Sequence, residues 1–298
     1  EEFSGEKIDS DSRAWSLAYA ALDPFLLAFD YDPLVTVPAD EAFGKKRGNC
    51  LSFSNMFIAM AREAGMTAWY QEVKIPPKWS NVNDTMLVSK HVNAVILERG
   101  KRYTVDVSRR ERKAFEVSRR LSDQEAKAQY YSNLGADALI GGDLPQAYAF
   151  FRKALETDPQ NAYLWSNMGV VLRRNEQIED ALLAYHTALK IDPDQSVALN
   201  NLYTYYEEIG DIRNAEQIRS RVEYNRRKNP YYLNYMAENA IEENRYAHAT
   251  ELVKRAINID DGEYRFYQTL ERSQYYQGTT QLALDILERP RALAPPGT

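Results

Sequence analysis

The sequence predicts a chain of two parts, an α+β domain over residues 1–120 and an all-α superhelix of paired helices over residues 121–298. Three observations carry this reading. Ala147, Ala181, Ala215, Ala249 and Ala283 recur at a constant interval of 34 residues, a period that belongs to stacked helical hairpins. Upstream of residue 120 three segments instead alternate apolar and polar residues, as half-buried strands do. Between the first segment and those strands, the run after Cys50 carries Phe53, Met56, Phe57, Met60, Ala61 and Ala64 at helical spacing.

Taken in order, the first apolar stretch, Ala14 to Phe29, is broken by Asp23-Pro24 and is too short to span a bilayer, so it reads as one or two core helices. The chain begins at Glu1 and not at methionine, which leaves an upstream leader or lipid anchor open. Gly48-Asn49 supplies a tight turn into the helix that starts at Cys50, and Gly65 closes that helix. The strands follow as "TAWYQEVKI", "KHVNAVILE" and "KRYTVDVS", with Arg99-Gly100 as the turn between the last two. A loop centred between residues 98 and 99 sets His91 opposite Asp106; one centred on Arg99-Gly100 sets Asp106 opposite Asn93, diagonal to His91. Either register puts both side chains on one face, whereas a loop centred on Arg99 alone separates them unless a bulge restores the phase. The stretch from Arg99 to Arg120 holds nine Lys or Arg against three Asp or Glu, and reads as a solvated strand edge and linker helix into the second part. A salt-dependent dock onto acidic residues of the helical array is the weaker reading.

Cys50 is the only cysteine, which excludes intramolecular disulfides and thiolate zinc clusters. A lone thiol is either a small buried apolar group or a nucleophile. At a helix start the positive end of the helix dipole favours thiolate over thiol. His91 is the only histidine before residue 186, and Asp106 is paired with it on the adjacent strand. A thiol, an imidazole and a carboxylate so arranged compose a Cys-His-Asp triad. The thiolate attacks an acyl carbon, the imidazole carries the proton to the leaving group, and the carboxylate holds the imidazole's tautomer. The backbone N–H of Cys50 would meet the oxyanion, with Trp79, Gln71 and Asn55 as candidates for a second donor.

At these residues the sequence resembles the transglutaminase-like superfamily of papain-type cysteine enzymes. "RGNCLSFSNMFIAMAREAGMTAWYQEV" is similar to its nucleophile helix and following strand, "KHVNAVI" to its histidine strand and "RYTVDVS" to its aspartate strand, over about residues 10–115. The chain departs at "HVN", where many members carry an aromatic two residues after the histidine. The resemblance implies a papain-like fold with Cys50, His91 and Asp106 as the catalytic residues. It also implies peptide hydrolysis in preference to glutamine–lysine crosslinking, and a similar triad serves arylamine-type acetyl transfer. Degenerate members of the superfamily act as binding domains.

In the second part each alanine sits in one recurring frame. "YYSNLGADALIGGDLPQAYAFFRKALETDP" carries Gly135, Ala147, Phe151, Ala154 and Pro159; "LWSNMGVVLRRNEQIEDALLAYHTALKIDP" carries Gly169, Ala181, Tyr185, Ala188 and Pro193. Small residues at fixed positions let two helices approach closely, and the proline ends the second. The frame resembles the tetratricopeptide repeat from about residue 128 to the end, as five repeats. Repeat three departs with Tyr203 for the glycine and Arg219 for the aromatic, and repeat five has Pro290 inside its second helix. Phe151, Tyr185 and Trp165 read as core, and Tyr205-Tyr206, Tyr231-Tyr232 and Tyr275-Tyr276 as pairs that each bury one ring. Asn133, Asn167 and Asn201 share one position on the first helix of each repeat. In the family that face lines the groove, where a ladder of amides could bond the backbone of an extended peptide. The alternative is that "SN-x-G" follows the repeat consensus and packs locally.

A net charge of −6 leaves no broad basic field for nucleic acid. No phosphate-cradling glycine loop and no metal-spaced cluster of His, Asp and Glu is present, so no cofactor is expected. Two functions follow. One is a cysteine-dependent amide hydrolase or acyl-transfer enzyme, with the repeats recruiting a protein or peptide. The other is a non-catalytic adaptor in which the first domain is a scaffold. Bacterial chains that pair these two modules imply a periplasmic or lipid-anchored envelope protein, by resemblance alone.

Overall fold

The computed structural model describes residues 12–73, 91–108 and 117–278. The chain divides into two compact units, one ending at Pro193 and the other running on from Asp194.

In the first unit, Ser12 caps α1 (Arg13–Leu22) by accepting the Trp15 N–H. The helix stops at Asp23 because the residue before a proline is driven out of the α region. Of the two core helices open for Ala14 to Phe29, one forms; beyond it Phe25 is 93% exposed, while Phe29 turns back into the core with Leu27 packed against it. There follow β1 (Asp30–Tyr31), α2 (Ala39–Lys45), β2 (Arg47–Gly48), α3 (Cys50–Glu63), β3 (Thr67–Val73), β4 (His91–Glu98), β5 (Lys101–Val105) and β6 (Ser118–Leu121). β1 and β2 pair in parallel, and the other four strands form an antiparallel sheet in the order β5-β4-β3-β6. Phe53, Phe57 and Ala61 of α3 pack into one core with Ala68, Ala94, Ile96 and Val105 from the sheet. Gly65, at φ +73°, releases the chain from α3 into β3.

Arg99 and Gly100 both have positive φ, 51° and 79°, the two-residue turn whose twist matches paired strands. It pairs Glu98 with Lys101 and Ala94 with Val105, which is the register centred on Arg99-Gly100.

The basic stretch is corrected at its end. Residues 118–121 form an edge strand on β3, with Tyr70 opposite Leu121, and not a linker helix. Their arginines are spent on the sheet: Arg120 lies 4.7 Å from the Trp69 ring centroid, and Arg119 bonds Glu72 at 2.7 Å and Glu125 at 2.5 Å. Residues 109–116 of the stretch lie outside the described residues.

Immediately after β6, Ser122 and Glu125 form a reciprocal capping box that starts α4 (Asp123–Ile140). Arg62 at the end of α3 forks onto the Asp123 carboxylate at 2.7 and 2.9 Å. With α5 (Leu144–Thr157), α6 (Ala162–Arg174) and α7 (Ile178–Ile191) this gives two helical hairpins. The second unit continues with α8 (Ser196–Glu208), α9 (Ile212–Lys228), α10 (Pro230–Glu242), α11 (Tyr246–Ile259) and α12 (Tyr264–Tyr276). Four hairpins and the first helix of a fifth are therefore described; Ala283 and Pro290 lie outside.

Side-chain volume sets how each hairpin closes. A Cβ on Gly135 would meet the Phe151 ring at 2.9 Å, and one on Gly169 would meet Tyr185 at 2.5 Å, so each ring occupies the space its glycine vacates. Repeat three reverses the pair, with Tyr203 and Arg219, and in the next repeat Ala237 and Val253 are both fully buried. Phe151 and Tyr185 are core, as expected, whereas Trp165 is half-buried and donates its indole N–H to the Pro159 carbonyl at 2.8 Å. The tyrosine pairs do not uniformly split: Tyr231 is buried beside a half-buried Tyr232, Tyr205 and Tyr206 are both half-buried, and Tyr275 and Tyr276 are both exposed.

Candidate functional site

Cys50 opens α3, and the turn before it is closely held. Asn49 caps the helix by accepting the Ser52 N–H at 2.9 Å, while its own side-chain amide donates to Thr36 at 2.9 Å. Gly48 is required by close approach, because a Cβ there would lie 2.7 Å from that of Ser52. The segment after β1 is stitched to the same turn: Asp32 N–H bonds the Gly48 carbonyl at 3.0 Å, Asn49 N–H the Val35 carbonyl at 2.8 Å, and Val37 N–H the Ser52 hydroxyl at 2.9 Å. Cys50 itself is half-buried at the edge of the α3 core.

His91 begins β4 and is buried. Its Nε2 lies 2.5 Å from Asp106 Oδ2, and Cys50 is near enough to contribute to the electrostatics of the ring. Asp106 follows β5 directly; its Oδ1 accepts the backbone N–H and the hydroxyl of Ser108 at 3.0 and 2.8 Å. Asn93, two residues along β4 from His91, reaches the shared Oδ2 at 3.5 Å. The Oδ1 of this buried amide has no partner among the described residues.

Burial opposes charge on His91, but the hydrogen bond to the Asp106 carboxylate, with a further contribution from Cys50, outweighs it, raising its pKa from 6.5 to about 9. Burial likewise opposes the Asp106 carboxylate, yet His91 and the two Ser108 donors hold it down to about 2. The geometry thus joins all three residues singled out in the sequence, in the order thiol, imidazole, carboxylate.

The second-donor candidates fare differently. Trp79 lies outside the described residues. Gln71 is buried with its Oε1 taken by Arg102 at 3.1 Å. Asn55 sits five residues along α3, rotated by about 140° from Cys50. Asn93 lies beside Asp106, as the register centred on Arg99-Gly100 sets it. Ser108 escaped sequence reading, although it follows the aspartate by only two residues. Tyr31 carried no signal, because a two-residue strand has no period.

In the repeats, Asn167 Nδ2 lies 3.4 Å from Ser132 Oγ, linking the first helices of two successive hairpins, and Asn201 donates to the Val197 carbonyl of its own helix at 2.9 Å. Asn133 is half-buried on α4. The three amides share a sequence position but not a bonding pattern. Among the described residues no group of His, Cys, Asp and Glu could hold a metal ion, and no helix is long and apolar enough to cross a membrane.

The chain carries tetratricopeptide repeats: the family profile of that name matches residues 138–199. The tetratricopeptide repeat-containing protein trd-1 of Caenorhabditis elegans is 26% identical over 149 residues, which is 50% of this chain and 18% of that protein. The peroxisomal targeting signal receptor of Kluyveromyces lactis is 34% identical over 67 residues, 22% of this chain and 12% of the receptor. The chain therefore spans less than a quarter of the length of either relative. Among solved structures, Pseudomonas aeruginosa pilF aligns with a TM-score of 0.39 and 19% identity over 58% of this chain and 79% of its own.

Proposed function

We propose that this protein recruits a protein or peptide through its tetratricopeptide repeats, as an adaptor. The match over residues 138–199 carries the reading, and the similarity to a receptor for a targeting signal supports it. Asn133 and Asn167, on neighbouring first helices, are the amides best disposed to bond an extended backbone, with Asn201 as the third of the series. A lysate passed over the immobilised chain, with bound proteins identified by mass spectrometry, tests this. Partners retained equally by wild type and Cys50→Ala, and lost from Asn133→Ala/Asn167→Ala/Asn201→Ala, are the expected result. Retention unchanged by the triple variant removes the amide series from the interface.

A second reading is favoured by one specific observation, the hydrogen bond of His91 to Asp106 with Cys50 near enough to bear on the same ring. Under it residues 1–120 are a transglutaminase-like domain and 121–298 the recruiting repeats, a division supported by the change from edge strand to capped helix at Leu121 and Ser122. Cys50 is the nucleophile, His91 the proton carrier and Asp106 its orienter, for hydrolysis or transfer at an amide or related acyl carbon. In the resting site His91 carries a proton at neutral pH, stabilises negative sulfur and delivers the proton to the leaving group. Asp106 accepts Nε2–H and so holds the imidazole's orientation. The test is the rate of Cys50 alkylation by iodoacetamide from pH 4 to 9, followed by intact mass. Rapid labelling below pH 7 that slows at least tenfold in His91→Ala is expected; labelling only near pH 8.5, unchanged in the variant, leaves the adaptor reading alone.

A further inference from the structure

From the position of Tyr31, we infer that its phenol is the second oxyanion donor of the Cys50 site, completing a hole whose first donor is the Cys50 backbone N–H. The inference rests on the reading of Cys50, His91 and Asp106 as a reactive group. β1 lies in parallel register with the turn that presents the nucleophile, Tyr31 opposite Gly48, two residues before Cys50. Backbone bonds on either side, Asp30 N–H to the Lys46 carbonyl at 2.7 Å and Asp32 N–H to the Gly48 carbonyl at 3.0 Å, fix the residue there. The ring is near enough to feel both ends of the triad: after burial, the negative charges of Cys50 and then Asp106 are what hold its proton on. Among the described residues the phenol makes no hydrogen bond. At 37% exposure the ring is open to an incoming acyl group.

A phenol that keeps its proton beside a thiolate is suited to donate a hydrogen bond to negative oxygen without surrendering the proton. In acyl transfer the sulfur forms a bond to the carbonyl carbon and the π pair moves onto oxygen, giving the oxyanion that Tyr31 and the Cys50 N–H would bind. The oxygen pair then re-forms the C=O bond and the leaving group departs. The Tyr31 proton stays on Tyr31 throughout.

Two probes separate this role from that of the triad. Alkylation by iodoacetamide displaces iodide from a saturated carbon and makes no oxyanion, whereas acylation by p-nitrophenyl acetate passes through one and releases p-nitrophenolate. In the full chain, Tyr31→Phe should acylate about 100-fold more slowly while alkylating at the wild-type rate, which also shows that the site has folded. Equal acylation of wild type and Tyr31→Phe, with alkylation still dependent on His91, overturns the role of Tyr31 and leaves the triad standing. Alkylation independent of His91 in the wild type removes both.

Discussion

The Cys50 site and the repeat hairpins answer differently to the chain that encodes them. The site gathers a helix start, a strand start and the residue after a strand, spread from residue 50 to residue 106, around the polar contact of His91 with Asp106. The second hairpin is closed by Gly169 and Tyr185, one helix apart, in a contact that needs no polar group. The first arrangement depends on register, since a shift of one residue in the β4–β5 pairing would turn Asp106 away from His91. The second depends on volume, and repeat three does without it: Tyr203 is half-buried, and the exposed Arg219 pairs with Glu216 and Glu223 along its own helix. Arg226 there lies between the Tyr203 and Tyr232 rings, at 5.2 and 5.3 Å, with its Nε bonded to Asn200 at 2.7 Å. A repeat tolerates substitution if the partner changes with it; the site has no such freedom.

The sharpest way to break this contrast is Gly169→Ala. A methyl 2.5 Å from a fully buried ring should cost about 1–3 kcal/mol, more than the roughly 1 kcal/mol gained in helix propensity. Urea unfolding measures it, and Gly169→Ala/Tyr185→Leu should recover most of the loss; no recovery would mean that the ring is not what the methyl meets. A smaller effect is expected from Ser122→Ala, which removes the cap between sheet and repeats and should cost about 1 kcal/mol in the same assay.

Confined to the site is the pH dependence. Asp106, held at about 2, contributes stability that is present above its ordinary pKa of 3.8 and lost as pH falls towards 2. His91, raised to about 9, contributes stability that is complete below 6.5 and lost as pH rises through 9. Thermal melts should therefore fall on both limbs in the wild type, with Asp106→Asn flattening the acid limb and His91→Ala the alkaline one. Unaltered limbs in both variants would show that the pair is not coupled to folding.

Much of this was legible because it is periodic. The 34-residue alanine spacing, the apolar face of α3 and the alternation of β3, β4 and β5 are each written locally, and the turn at Arg99-Gly100 reduced the hairpin to a few registers. What was misread is short or aperiodic: β6 has four residues and three of them are charged or polar, so its composition suggested a linker. Its place in the sheet comes from Trp69 and Glu72, whose partners Arg120 and Arg119 it supplies from far along the chain.

By itself, then, the sequence determined the helical repeats, the helix that starts at Cys50 and the one-face pairing of His91 with Asp106, because 3.6-residue and two-residue periods reflect which side of an element meets the core. Only the tertiary structure decided the register among those allowed, the edge position of β6 and the choice of Nε2 as the His91 nitrogen that meets Asp106. Those depend on contacts between segments that share no period, where the free energy comes from shape and charge matched across distance and leaves no local pattern to read.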